Sequence, residues 1–303
     1  MRTEFDLIIV GGGPTGAAAG VFTARYGFDT LVLDRGRSSL RRIAHLENYL
    51  GFPGGIDIET FYELAHAHAE QSGCEVVGDL AEAVERTEDG FRVRTDEGRV
   101  LHTKRVLAAS KYDTGHLEGL DDDLFTTKHY NGEAYEILDQ KVIGDDGRTN
   151  VDGLYVAGSL AKAGSQALTN AGHGATVGLT IIEDDRRDRG FPNELAAAYH
   201  DWVVVEGGYG GDDWEQNLHD QFDDALPEET NLSEREIDEL RSEFVDEHRA
   251  WQITPGEKER RRVEGYRKLA ARLDANLLLE QLDDDHVLQR ARQIDAERNL
   301  RSK

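Results

Sequence analysis

Apolar and polar positions along the chain follow two regimes. Over roughly the first 185 residues, short β-branched apolar runs alternate with helical spacings and glycine turns, the pattern of an α/β unit. Phe5-Asp6-Leu7-Ile8-Ile9-Val10 reads as a buried parallel strand, the stretch from Ala17 to Tyr26 as a helix, and Thr30-Leu31-Val32-Leu33 as a second strand. Helical spacing returns between Ile58 and Gln71 through Phe61, Leu64, Ala65 and Ala69. Residues 81–86, 91–95 and 99–102 alternate as a three-stranded antiparallel meander, turning at Glu88-Asp89-Gly90 and Asp96-Glu97-Gly98. Further strands are expected near Val106 and Leu154, and Asp139 to Thr149 reads as a hairpin with a glycine turn.

Beyond residue 185 helical patterns take over, and 25 of the 32 glycines have already passed. Pro192 begins one helix, and Ser233 with Glu236 forms a capping box before Ile237, Leu240, Phe244 and Trp251. Thr254-Pro255-Gly256-Glu257 opens a long arginine-rich helix expected to reach about Leu282. Its cations, from Lys258 to Arg272, interleave with Glu257, Glu259 and Glu264, the pattern of a solvated helix with i,i+4 ion pairs such as Glu257 with Arg261. A docking face for an acidic carrier is the sharper alternative.

The first strand runs into Gly11-Gly12-Gly13-Pro14-Thr15-Gly16, where Gly11, Gly13 and Gly16 fill the Gly-x-Gly-x-x-Gly spacing. In a strand-turn-helix setting the first glycine permits the turn, the second lets the backbone approach a pyrophosphate, and the third brings helix and strand together. The helix N-terminus offers free N–H groups to phosphate. Asp34 closes the second strand 18 residues after Gly16, where a carboxylate accepts ribose hydroxyls and repels a 2′-phosphate. An adenine dinucleotide is the ligand this predicts, and spacing does not separate FAD from NAD.

Three further segments carry a resemblance. Glu47-Asn48-Tyr49-Leu50-Gly51-Phe52-Pro53-Gly54, Val151-Asp152-Gly153-Leu154-Tyr155-Val156-Ala157-Gly158, and Gln166-Ala167-Leu168-Thr169-Asn170-Ala171-Gly172 follow the glycine loop in the order seen in low-molecular-weight thioredoxin reductases. The chain resembles the FAD domain of that family over about its N-terminal three-fifths. The resemblance implies an α/β, Rossmann-like FAD-binding domain with a parallel sheet and antiparallel β-meander at residues 1–185, and the shift to helical patterns beyond it implies an acidic α-helical C-terminal extension at 186–303. It implies that Gly11, Gly13, Pro14, Thr15 and Gly16 hold the pyrophosphate, that Asp34 with Arg35 holds the adenosine end, and that Asn48 approaches the flavin. Gly158 would lie under the ribityl chain, with Gln166 and Ala167 at the helix N-terminus facing the pyrimidine side of the ring.

The departures bear on function. Ser159 stands where the family has an aspartate that holds a ribityl hydroxyl, and Ser110 replaces a turn glycine. Arg35, Arg37, Arg41 and Arg42 replace a Gly-Gly-Gln segment, a cluster suited to an anion or to surface ion pairs. The family's inserted NADPH domain would fall within residues 114–150, too short a stretch for a second Rossmann unit. Cys74 is the only cysteine, which excludes an internal disulfide, a CxxC redox pair and a thiolate metal cage. It reads as a small buried apolar residue, and no histidine spacing suggests a metal. The resemblance thus implies a flavin-dependent oxidoreductase unable to use a CxxC disulfide, with electrons arriving from NAD(P)H or a protein donor. A non-catalytic FAD- or nucleotide-binding module and an NAD-binding protein are the alternatives.

Composition completes the picture. With 60 Asp and Glu against 35 Lys and Arg the formal charge is -25, divided as -14 up to residue 185 and -11 beyond. Only eight of the cations are lysine, and this resembles haloarchaeal proteins adapted to molar salt, where the Debye length falls to about 3 Å. Nucleic acid and anionic membrane are disfavoured as partners by the field, leaving small-molecule cofactors, protein electron donors or acceptors and a homodimer open. No apolar run is long enough for a membrane helix and no signal peptide is evident, so a cytoplasmic address is expected.

Overall fold

The structure, a computed structural model, describes every residue except 1, 112, 199–201, 207–210, 212, 228, 229, 302 and 303. It divides into two compact units, Met1–Gln252 and Ile253–Lys303.

In the first unit β1 (Glu4–Val10), α1 (Pro14–Arg25) and β2 (Thr30–Leu33) follow directly from the apolar pattern, and two short strands, β3 (His45–Leu46) and β4 (Ile56–Asp57), pair antiparallel before α2 (Ile58–Ser72). β5 (Glu75–Val77) is followed by β6 (Ala81–Thr87), β7 (Gly90–Thr95) and β8 (Val100–Ala108). The seven-stranded sheet has the order β5-β2-β1-β8-β7-β6, with β11 (Leu154–Val156) also on β8. Strands β5, β2, β1, β8 and β11 are parallel, while β6, β7 and β8 form the antiparallel meander. The last strand of the meander and the strand expected near Val106 are therefore one. β8 pairs through Val100–Thr103 with β7 and through Val106–Ala108 with β11.

Alternation along β1 explains why it is apolar throughout. Ile8 and Val10 face one core with Phe91, Val93, Val106 and Leu154, and Leu7 and Ile9 face another with Ala19, Leu107, Val177 and Ile181. A strand covered on both sides has no polar face to present. The second core is closed by α1 and α3 (Ala167–Asp188), which meet unusually closely: a Cβ on Gly174 would lie 2.1 Å from the Thr15 carbonyl oxygen.

The hairpin lies one segment earlier than expected. β9 (Phe125–Tyr130) and β10 (Glu133–Leu138) pair antiparallel across Asn131-Gly132, both left-handed at φ 51° and 85°, the combination that a two-residue type I′ turn demands. Residues 139–149 instead form a 3₁₀ turn and a tight loop closed by Gly144 N–H donating to the Arg148 carbonyl at 2.8 Å.

The expected division at 185/186 falls inside α3, and the helices α4 (Asn193–Ala196), α5 (Trp214–Ala225) and α6 (Glu234–Ala250) share one compact unit with the sheet. Phe191, Leu195, Phe222, Leu240 and Phe244 form their own core. Arg186, buried on α3, ties that core to the sheet layer: it pairs with Glu247, donates to the Ala198 carbonyl at 3.1 Å and lies between the rings of Tyr26 and Phe191. The second unit consists of α7 (Pro255–Ala270), α8 (Ala275–Glu280) and α9 (Asp284–Arg301). The helix expected to reach Leu282 stops at Ala270, because Asp274 caps a new helix by accepting from the N–H groups of Asn276 and Leu277.

Candidate functional site

The parallel strands β1, β2, β8 and β11 all end on one side of the sheet, and a cavity of about 600 Å³ opens there. Its wall takes Gly11, Gly13, Pro14 and Thr15 from the β1–α1 turn, Asp34 and Arg35 from the end of β2, Ser110 from beyond β8, and Ser159 from beyond β11. Asn48, Gln166 and Ala167 complete it at the other end. Residues 118 positions apart thus converge: the Asn48 side-chain amide donates to Gln166 Oε1 at 2.9 Å. A site outside the carboxyl ends of parallel strands is where this architecture places ligands.

Each glycine of the loop answers to a different neighbour. A Cβ on Gly11 would meet Ala109 backbone at 2.8 Å, one on Gly16 would lie 1.9 Å from the Gly11 oxygen, and one on Gly12 would strike the Asp34 side chain at 2.5 Å. Those three are required by the protein's own packing. Gly13 differs, because its nearest neighbour would be the Tyr62 hydroxyl at 3.7 Å. Its bare backbone faces the cavity and leaves room for a ligand's approach, the part the second glycine of the motif plays.

Gly16 and Gly158, both expected at the ligand, stand one layer behind the cavity wall. Gly158 has φ 70°, and a Cβ there would be 2.4 Å from Thr15 Oγ1. Its N–H donates to His173 Nδ1 at 2.9 Å, so it fixes the contact between the end of β11, α1 and α3 rather than lining the wall.

Both helices that point into the cavity have open N-termini. α1 begins at Gly13 and α3 at Gln166, neither with a side-chain cap or an acidic residue in the first turn. By contrast α2, α6 and α7 are capped by Asp57, Ser233 and Thr254. In so acidic a chain, two uncapped N-termini at one cavity concentrate positive dipole ends where an anion would sit.

Further residues in or behind the cavity wall were not singled out by the sequence. His66 Nε2 donates to the Gly12 carbonyl at 2.8 Å and lies 3.3 Å from Asp34 Oδ2, while Gly36 N–H donates to Asp34 Oδ1 at 3.0 Å. Asp34 is therefore oriented from two sides. Asn170 is buried on the first turn of α3, with Ser159 Oγ 3.5 Å from its Oδ1. His116 is buried in the wall, and burial pushes its imidazole down to about 4 against an opposing pull from Asp113. Only the helical spacing of α2 and the Gln166 to Gly172 segment hinted at His66 and Asn170; nothing local marks His116.

Of the arginine cluster, Arg35 pairs with Asp113 at 2.8 Å and Arg41 stacks over Tyr62. Ser110 donates to the Asp113 carbonyl at 2.6 Å, which closes the turn the family makes with glycine. Cys74 is buried against Gly20 at the far side of α1, and burial pushes its thiol up to about 12, so it is held as an unreactive neutral thiol. Among the described residues no group of three or more His, Cys, Asp or Glu side chains is arranged to hold a metal ion, and no helix is long and apolar enough to cross a membrane.

Comparison with known proteins adds to this geometry. Residues 4–43, the β1-loop-α1-β2 unit with Asp34, match the model of an FAD binding domain. The chain is 34% identical to the thioredoxin reductase of Aquifex aeolicus over 108 residues, 35% of this chain and 33% of that protein. It is 30% identical to an alkyl hydroperoxide reductase subunit of Staphylococcus aureus over 151 residues, 47% of this chain and 30% of that one. The chain thus spans about a third of the length of these curated relatives. A solved Bacillus anthracis protein named as thioredoxin reductase TrxB superposes with a TM-score of 0.50 at 14% identity, covering 61% of this chain and 99% of that one, a likeness of fold. Sequence similarity and fold together support a thioredoxin reductase-like, Rossmann-type flavin-binding unit with FAD as its cofactor.

Proposed function

We propose that the chain is an FAD-dependent oxidoreductase that passes electrons through the flavin without a protein disulfide. The observation that carries this is the cavity joining the glycine loop, Asp34 and the open N-terminus of α3, with Asn48 and Gln166 hydrogen-bonded across its far end. Bound there, FAD would supply the two-electron chemistry. The N–H groups around Gly13 to Thr15 would hold the pyrophosphate, and Asp34, steadied by His66, the ribose. The amide pair Asn48–Gln166 and the N-terminus of α3 would face the ring's pyrimidine edge, where a positive dipole end favours the reduced, negatively charged form. Ser159 and Asn170 would take the ribityl hydroxyls in place of a carboxylate, at lower affinity.

The electron route departs from that of the resembled reductases. Cys74 is the single cysteine of this sequence and is buried, which supports a route without a thiol pair. In the interval where that family inserts its NADPH domain this chain turns back through the β9–β10 hairpin at Asn131-Gly132. The reading is therefore a flavin unit reduced by NAD(P)H docking at the ring or by a protein donor. Its salt-adapted composition fits a cytoplasm of molar salt. The test is a spectrum: protein purified in molar salt and mixed with FAD should show bound-flavin absorption near about 450 nm. A colourless protein after FAD titration overturns the proposal. Bound FAD that neither NAD(P)H nor a reduced carrier protein can bleach would favour the second reading, a non-catalytic flavin module, for which Ser159 and the buried lone cysteine speak.

A further inference from the structure

Charge is distributed unevenly between the two units. Residues 1–252 carry 23 Lys and Arg against 50 Asp and Glu, a formal -27, whereas residues 253–303 carry 12 against 10, a formal +2. The second unit is close to neutral, so two copies can meet there without strong like-charge repulsion.

It is also unfinished as a folded body. None of the described residues of α7, α8 and α9 is buried. Seven of the fourteen exposed large apolar side chains among the described residues lie here, including Tyr266, Leu269, Leu273, Leu277, Leu282 and Leu288. Helices that only half-bury Val263, Leu278, Val287 and Ile294 gain little against the conformational entropy of ordering them, so this face calls for a cover.

Its charges say what covers it. Residues 255–272 hold seven cations and three anions, net +4, and residues 273–289 hold no Lys or Arg and five carboxylates, net -5. Within α7, Glu257 pairs with Arg260 and Arg261, Glu259 with Arg262 and Glu264 with Lys268, which among the described residues leaves Lys258, Arg267 and Arg272 as the surplus. The leucines lie mostly in the anionic segment. A surface built of adjacent positive and negative blocks around an apolar stripe is complementary to itself once rotated by a two-fold axis.

We propose that residues 253–303 are a homodimerisation arm in which 255–272 of each copy packs against 273–289 of the other. The leucines from Leu269 to Leu288 form the buried centre, and Arg267 and Arg272 of one copy face Glu280 and Asp284 of its partner.

Sedimentation or light scattering of the full chain, at the lowest salt in which its first unit stays folded, tests this directly. The wild type should be a dimer, and Leu277→Asp with Leu282→Asp should weaken the dimer by about a hundredfold or more. Two charge-reversed chains separate a specific interface from damage to the helices: Arg267→Glu with Arg272→Glu, and Glu280→Arg with Asp284→Arg. Each alone places like charges across both halves of the two-fold contact and should be monomeric, whereas mixing them restores opposite charges in both halves and should give a heterodimer. A monomeric wild type, a leucine variant that stays dimeric, or reversed chains that fail to associate on mixing would each overturn the assignment.

Discussion

His116 shows how one buried side chain can govern the response to acid. Its ring is 3% exposed, Nε2 has no hydrogen-bond partner among the described residues, and burial holds it neutral down to about 4 where an exposed histidine titrates at 6.5. The unfolded chain therefore takes up this proton before the folded one does. The stability that His116 contributes stands in full above 6.5 and is lost as pH falls through about 4. Denaturant midpoints measured across that window should decline for the wild type, and His116→Leu should flatten the decline while leaving the midpoint at pH 8 nearly unchanged or raised, since it removes an unpaired buried nitrogen. An equal decline in the variant would assign the acid sensitivity to other groups. Asp79 is the contrasting case: burial works against its charge, but hydrogen bonds from Thr95, the N–H groups of Leu80 and Glu97, and Arg99 hold the carboxyl below its usual range. Its contribution is lost only at pH values below those that titrate an ordinary aspartate.

At the scale of elements, the contact between α1 and α3 positions the site, because both open helix ends at the cavity depend on it. Two glycines of α3 separate packing from propensity. Gly174 has the Thr15 oxygen 2.1 Å from where its Cβ would stand, and Gly172 has nothing within 4 Å. Gly174→Ala should force the helices apart and cost about 1–3 kcal/mol, with a loss of FAD affinity alongside. Gly172→Ala should stabilise by up to about 1 kcal/mol, since alanine is the better helix former. Thermal and denaturant unfolding of both variants, with FAD titrations, measures the pair, and similar behaviour of the two would remove α1–α3 packing as the cause. The same elements show what could be read from sequence. The β1-loop-α1-β2 unit was legible because its signals are local: β-branched runs, glycine spacing, an acid at a strand end. The meander was legible from alternation, although the fusion of its last strand into the parallel sheet was not, since β8 exchanges partners from β7 to β11 without any change in its apolar pattern. Asn131-Gly132 is a local hairpin signal, but β10 is largely exposed, so little apolar alternation marks the strands that flank it. His66 beside Asp34, Gly158 behind the wall and His116 within it depend on contacts between distant segments, which no periodicity encodes.

For the whole molecule the sum of charges decides. The first unit's -27 is only partly relieved by ion pairs, and exposed ones such as Arg35 with Asp113 or Arg249 with Glu215 contribute little each. At 0.1 M salt the Debye length is about 10 Å, long enough for neighbouring surface carboxylates to repel; at 1 M it is about 3 Å and they no longer do. Folding of the first unit should therefore be salt-dependent, with a melting temperature that climbs by about 10 °C or more between 0.1 and 2 M potassium chloride. Association through the second unit should respond in the opposite sense, because its +4 and -5 blocks attract and screening weakens that attraction. Melting by circular dichroism and sedimentation over one salt series would read both at once. Stability that rises while dimer affinity falls distinguishes repulsion within a unit from attraction between copies. If the two rise together, the apolar stripe rather than the charge blocks dominates the contact. If melting is indifferent to salt, the acidic surface is not an adaptation to it.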